Sequence, residues 1–184
     1  MINKTKASDS LLYPFLFVGL LWLIKGVEIF FFLNFSSFGI VPRTAKGLLG
    51  IITGPLIHVN LVHLFSNSVP LLILGILVFN FYRNIAFEIF VWIYIVSGLC
   101  VWIVGDDASH VGSSGLIFGF ASFIFFSGLF RGQFKALVLA IVVALIYGSN
   151  AGGMFPGQAG VSWQSHFYGA MAGGLCAYFY RKEE

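Results

Sequence analysis

Six long apolar stretches, at roughly 11–34, 56–82, 85–104, 113–130, 134–149 and 163–180, take up most of the 184 residues of this chain. Each comes close to the ~20 consecutive apolar residues that a helix needs to cross the hydrocarbon core of a bilayer. The last three are the shortest, so tilted or partly sunken helices are expected there. Composition points the same way, with 59% hydrophobic and 9% charged residues, against about 25% charged in a soluble domain. Too little polar surface remains to coat a water-facing particle. A soluble enzyme, a disordered tail and a nucleic-acid binder are excluded, and the net charge of +3 comes from Lys and Arg spread without a basic stripe. The sequence predicts an all-α integral membrane protein with six transmembrane helices in a single domain, 1–184, because no composition shift or low-complexity segment divides it.

Charge sets the expected orientation. With the N-terminus inside, Lys4, Lys6, Arg83, Arg131, Lys135, Arg181 and Lys182 are cytoplasmic, and Arg43 and Lys46 lie outside. Cationic residues favour the cytoplasmic side, so both termini are expected there, with outer loops at 35–55, 105–112 and 148–162. The opening Met1–Lys6 and the apolar run after it mimic a signal peptide. That run continues from Leu11 to about Phe35, beyond the roughly 7–15 residues of a signal-peptide core, so an uncleaved first span is expected. Cys100 and Cys176 sit inside apolar runs without metal-ligand or disulfide spacing and read as small core residues.

Ionisable groups inside spans are costly and draw attention first. Lys25 and Glu28, three apart, can pair on one helix face. Glu88 lies near the cytoplasmic start of the third span, and Asp106 and Asp107 are expected to be solvated in an outer loop. His63 and Asn67, four apart, share a helix face in the second span; His58 does not share it. The fourth span opens with Gly112-Ser113-Ser114-Gly115 and the sixth with Ser165-His166, and the pairs Gly115/Gly119 and Gly169/Gly173 permit close helix approach. Spans two, four and six run in the same direction, which puts His63, Ser114 and His166 at similar depth just below the outer surface. Two helices packed through their glycines would bring Ser114 within reach of the His166 imidazole. A serine is a weak nucleophile until an adjacent base takes its proton. Backbone N–H groups around Ser114, with His63 and Asn67, would then stabilise an oxyanion. No carboxylate lies at that depth on these spans, so a Ser–His dyad is expected rather than a triad.

These residues resemble the rhomboid intramembrane serine proteases over most of the chain. The family's Gly-x-Ser-Gly is Gly112-Ser113-Ser114-Gly115, its His-x-x-Gly-x-x-x-Gly runs from His166 through Gly169 to Gly173, and its His-x-x-x-x-His-x-x-x-Asn runs from His58 through His63 to Asn67. The stretch from Gly39 to Gly50 also looks like the lead-in to the second span in a bacterial branch of the family. The resemblance implies a six-helix rhomboid-like bundle around a water-filled cavity that opens outward, with the fourth helix starting within the membrane. It implies Ser114 as nucleophile, His166 as general base, and His63 and Asn67 as the oxyanion site. The implied activity is cleavage of a peptide bond in or near a transmembrane segment of protein substrates, through an acyl-enzyme, with no metal or cofactor. The loop at 148–162 looks like a mobile cap over the cavity. Two departures stand out: the first outer loop lacks a Trp-Arg pair, and Phe118 occupies a position where Tyr often stacks on the catalytic histidine. His110 is expected to be a solvent-exposed extra polar group. A bacterial plasma membrane suits so compact a core.

Two other readings compete: a catalytically silent relative that binds transmembrane clients, and a haem or metal carrier built on the four histidines. The intact Ser114/His166 and His63/Asn67 sets weigh against the first. The second is disfavoured because His58 and His63 do not share a face and no Cys lies near them.

Overall fold

Apolar runs without a polar face call for helices that bury one side and leave the other exposed and still apolar, and that is the arrangement observed. A computed structural model describes residues 9–132, 134–157 and 162–182. Lys4 and Lys6, which entered the charge expectation, and positions 158–161 of the loop expected as a cap lie outside the described residues. Among the described residues all regular structure is helical apart from an isolated antiparallel bridge, Ile40 with His110. The α-helices are α1 (Asp9–Phe30), α2 (Ala45–Thr53), α3 (Leu61–Phe81), α4 (Ala86–Val104), α5 (Ser114–Arg131), α6 (Phe134–Tyr147) and α7 (Trp163–Phe179). Four of them, α1, α3, α4 and α5, are long and apolar enough to cross a membrane. The 14 residues of α6 extend about 21 Å at 1.5 Å per residue.

The core runs between α3, α4 and α5, where Leu64, Leu74, Val78, Ile89, Ile93, Phe120, Phe123 and Ile124 are all buried. Outward faces carry exposed Phe15, Leu23, Phe65, Val91 and Leu145. In water such apolar faces would be a liability; in a bilayer they are the solvated surface. Trp22 of α1 donates to Ser68 Oγ of α3 at 3.0 Å, and Trp92 of α4 donates to the Ala172 carbonyl of α7 at 3.1 Å. These bonds tie α1 to α3 and α7 to α4.

Three boundaries differ from the expected spans, each for a local reason. The first span was expected to reach 34, but α1 ends at Phe30. Phe32 takes φ +53° while the Leu33 N–H returns to the Glu28 carbonyl at 2.8 Å, a helix stop that glycine usually makes. The second span was expected from 56, but α3 begins at Leu61, where the Asn60 side chain caps the helix by accepting from His63 N–H at 2.8 Å. His58 therefore lies ahead of the helix. The stretch 35–55, expected as a loop, holds α2 between 3-10 turns at Ser36–Phe38 and Gly54–Leu56. Its docking uses Arg43, whose guanidinium donates to the Gly105 carbonyl at 2.9 Å and meets the Asp107 carboxylate. Trp102 adds a donor bond to the Thr44 carbonyl at 2.9 Å. Asp107 is exposed, as expected, but it is paired.

Candidate active site

The entry to α5 is held from both sides. Gly112 has φ +109°, and its N–H donates to the Gly54 carbonyl at 3.0 Å. The His63 ring lies directly against this glycine, such that a Cβ there would come 2.6 Å from His63 Cε1. Ser113, fully buried, places its Oγ 3.3 Å from His58 Nε2. The rings of His58 and His63 meet edge to face at 5.1 Å. His58 precedes α3; burial, helped by His63 beside it, lowers its pKa to about 4 and keeps it neutral. Ser114 follows as the first residue of α5; the Leu116 N–H turns back to the Ser113 carbonyl at 3.0 Å, while the Ser114 and Gly115 N–H groups ahead of it have no residue four positions back in the helix to bond.

On the facing helix, Ser162 caps α7 by accepting from Ser165 N–H at 3.3 Å. One turn in, the His166 ring stacks on Phe118 at 4.3 Å between centroids and 19° between planes. Its Nδ1 lies 2.9 Å from the Gly153 carbonyl. The helices α5 and α7 touch backbone to backbone: a Cβ on Gly169 would fall 2.1 Å from the Gly115 carbonyl oxygen, and one on Gly173 would fall 2.0 Å from that of Gly119. The Ser165 carbonyl oxygen also lies beside Gly115, 3.0 Å from where its Cβ would stand. The residues adjoining Ser114 and His166 are thus in direct contact, as the glycine spacing predicts.

One cavity of about 990 Å³ is lined by His63, Asn67, Ser114 and His166 together, with Phe118 and Gly153 beside them. Asn67 is buried and donates one amide N–H to the His63 carbonyl at 2.8 Å, which leaves its second N–H for the cavity. The arrangement offers a hydroxyl, an imidazole on the adjoining helix, and several N–H donors around one space.

His110 corrects an expectation: it is not solvent-exposed but 5% exposed. Its Nε2 lies 3.1 Å from the Asp106 carbonyl and its Nδ1 2.6 Å from Ser162 Oγ. A carbonyl only accepts, so in the neutral ring Nε2 carries the proton and Nδ1 accepts from the Ser162 hydroxyl. Ser162 Oγ in turn lies 2.7 Å from Ser165 Oγ. This chain joins the loop before α5 to the start of α7, one residue from His166, and sequence reading missed it. The available signal was the position of His110, four residues ahead of Ser114 in a segment otherwise rich in small residues.

Residues 45–183 match the Rhomboid domain. An uncharacterized protein of Mycobacterium tuberculosis is 39% identical over 175 residues, covering 88% of this chain and 71% of its own length. An uncharacterized Mycobacterium bovis protein gives the same figures. An uncharacterized protein of Mycobacterium leprae is 35% identical over 175 residues, covering 88% of this chain and 68% of its own length.

Proposed function

From the membership of this chain in the rhomboid family, a family of membrane proteins, we propose that it is an intramembrane serine endopeptidase using Ser114 as nucleophile and His166 as general base. The observation that carries this reading is the single cavity lined at once by Ser114, His166, His63 and Asn67.

In the first step Ser114 Oγ attacks the scissile carbonyl carbon while its proton passes to His166 Nε2. The carbonyl oxygen becomes an oxyanion, stabilised by the free Asn67 N–H, the His63 ring N–H and the first-turn amides of α5; one such donor is worth about 100–1000-fold in rate. Collapse breaks the C–N bond, and His166 returns its proton to the leaving amine. Water then attacks the Ser114 ester carbon and gives a proton to His166; the acyl C–Oγ bond breaks, His166 returns that proton to Ser114 Oγ, and the acid product departs.

The substrates are transmembrane proteins whose helix unwinds locally to reach the cavity. The chain crosses the membrane six times, with α6 and α7 as short or tilted spans and both termini cytoplasmic, in a bacterial plasma membrane. The cavity opens to the outer face, which lets water reach Ser114 for deacylation.

Labelling of detergent-solubilised protein with a fluorophosphonate probe tests the reading. Wild type labels, and Ser114→Ala and His166→Ala do not. A folded wild-type protein that fails to label would instead be a catalytically silent relative that holds transmembrane clients.

A further inference from the structure

The buried charges of α1 have no part in the chemistry just described, yet they sit on the chain segment that leads into His63. Lys25 and Glu28 are 8% and 7% exposed. The Lys25 ammonium has three protons, and it has three acceptors: Glu28 Oε2 at 2.5 Å, the His58 carbonyl at 2.9 Å and the Val59 carbonyl at 3.1 Å. The other Glu28 oxygen accepts from Phe35 N–H at 2.8 Å. Both ionic groups are therefore satisfied, and one ion pair ties together α1, the turn after it and the two residues ahead of the α3 cap.

Those two residues are where the oxyanion side of the site begins. His58 reaches Ser113 through its ring, at 3.3 Å between Nε2 and Oγ. Val59 is followed by Asn60, which caps His63 N–H, and the His63 carbonyl in turn holds the Asn67 amide. A cation that fixes two successive carbonyls at this point sets the register between His63 and Asn67 on α3 and Ser113-Ser114 at the start of α5. A plain fold staple would need only the pair itself; here two of the three ammonium bonds go to the segment that carries the site.

We propose that Lys25 is a positioning residue for the oxyanion site, with Glu28 as its counter-ion; this rests on the serine-protease reading above. It touches no substrate and acts through the His58 and Val59 carbonyls.

The test separates positioning from stability. A buried ion pair can often be replaced by apolar residues of similar size without loss of stability, whereas removing one partner is strongly destabilising. Fluorophosphonate labelling and thermal unfolding are measured side by side for wild type, the double variant Lys25→Met/Glu28→Leu, and Lys25→Arg. In the double variant, unfolding at the wild-type temperature is expected with the maximal labelling rate down about 10- to 100-fold, the scale of a misplaced site, and with probe affinity little changed. Lys25→Arg, which keeps the charge and can still reach both carbonyls, is expected between the two. If the double variant does not fold, Lys25→Met/Glu28→Gln, which keeps an acceptor for the Phe35 N–H, carries the test: a slower maximal rate at an unchanged unfolding temperature supports positioning, and a wild-type rate overturns it. A folded double variant labelling at the wild-type rate also overturns it, leaving Lys25 a staple. Absence of labelling in the wild type would instead remove the protease reading, and the assignment with it.

Discussion

The Gly153 carbonyl lies 2.9 Å from Nδ1 of His166, and it can only accept, so the contact fixes the proton on Nδ1. The neutral ring then presents Nε2 as a lone pair, the state a general base needs to take a proton from Ser114. In a triad a carboxylate does this work; here the partner of His166 Nδ1 is a backbone carbonyl from the segment between α6 and α7. Replacing the Gly153–Met154 amide by an ester weakens that acceptor without altering any side chain. A hydrogen bond of this kind contributes about 0.5–1.5 kcal/mol, so the maximal fluorophosphonate rate should fall roughly 2- to 12-fold. Nitrogen NMR of labelled histidine checks the cause: the Nδ1–H tautomer of His166 should lose population in the ester protein.

The α5/α7 crossing yields a second expectation. With a Cβ at Gly169 or Gly173 only 2.1 or 2.0 Å from a carbonyl oxygen of α5, Gly169→Ala and Gly173→Ala must push the helices apart. Overpacking costs about 1–3 kcal/mol, read as a lower midpoint in denaturant. Gly169→Ala should also cut labelling more than Gly173→Ala does, because Gly169 lies one turn from His166 and faces Gly115 beside Ser114. Equal effects on labelling would mean that stability alone, and not the Ser114–His166 spacing, is being read.

Much of this was legible in the sequence, because the features that build the bundle are local. Small-xxx-small spacing implies close helix approach whatever surrounds it, and the structure sets the register, Gly115 against Gly169 and Gly119 against Gly173. The spacing of His63 and Asn67 puts both on one helix face, and the structure brings both to the cavity. Local pattern failed where a tertiary contact decides. Nothing in the Phe-rich run from Phe30 to Phe32 announces the stop of α1, since a residue other than glycine adopts the left-handed turn. His110 carries no local sign of burial, which comes from its pairing with Ile40 and its bond to Ser162, 52 residues away. The Lys25–Glu28 pair was visible, but its attachment to His58 and Val59 was not, because sequence does not say where α1 lies beside the start of α3.

Gly112 combines a backbone and a packing demand. At φ +109° a side chain is strained by about 1–3 kcal/mol, and a Cβ would also strike the His63 ring. Gly112→Ala should therefore displace His63 as well as the turn into Ser114. The expected result is a labelling rate down by about 100-fold, the loss typical of one misplaced oxyanion donor, alongside a lower unfolding temperature. Pairing it with His63→Ala identifies the route. If His63 is the group displaced, the double variant labels no more slowly than the worse single variant; additive losses would place the damage elsewhere in the turn.

Phe118 bears on the departure from the more common tyrosine. Its ring lies nearly parallel to His166 at 4.3 Å, and with Gly153 bonded to Nδ1 it completes a two-sided hold on the imidazole. The stacking surface belongs to the ring and not to a hydroxyl, so Phe118→Tyr should label at close to the wild-type rate provided the added oxygen fits the cavity. Phe118→Ala removes the surface, and aromatic pairs of this kind contribute about 0.5–1.5 kcal/mol beyond burial. The ring would then be free to rotate away from Ser114, and the maximal labelling rate should fall by about 10-fold while probe affinity changes less. Phe118→Leu, which fills volume without a flat face, distinguishes stacking from packing. A leucine variant as slow as alanine assigns the effect to the parallel ring, and a leucine variant as fast as wild type assigns it to bulk alone.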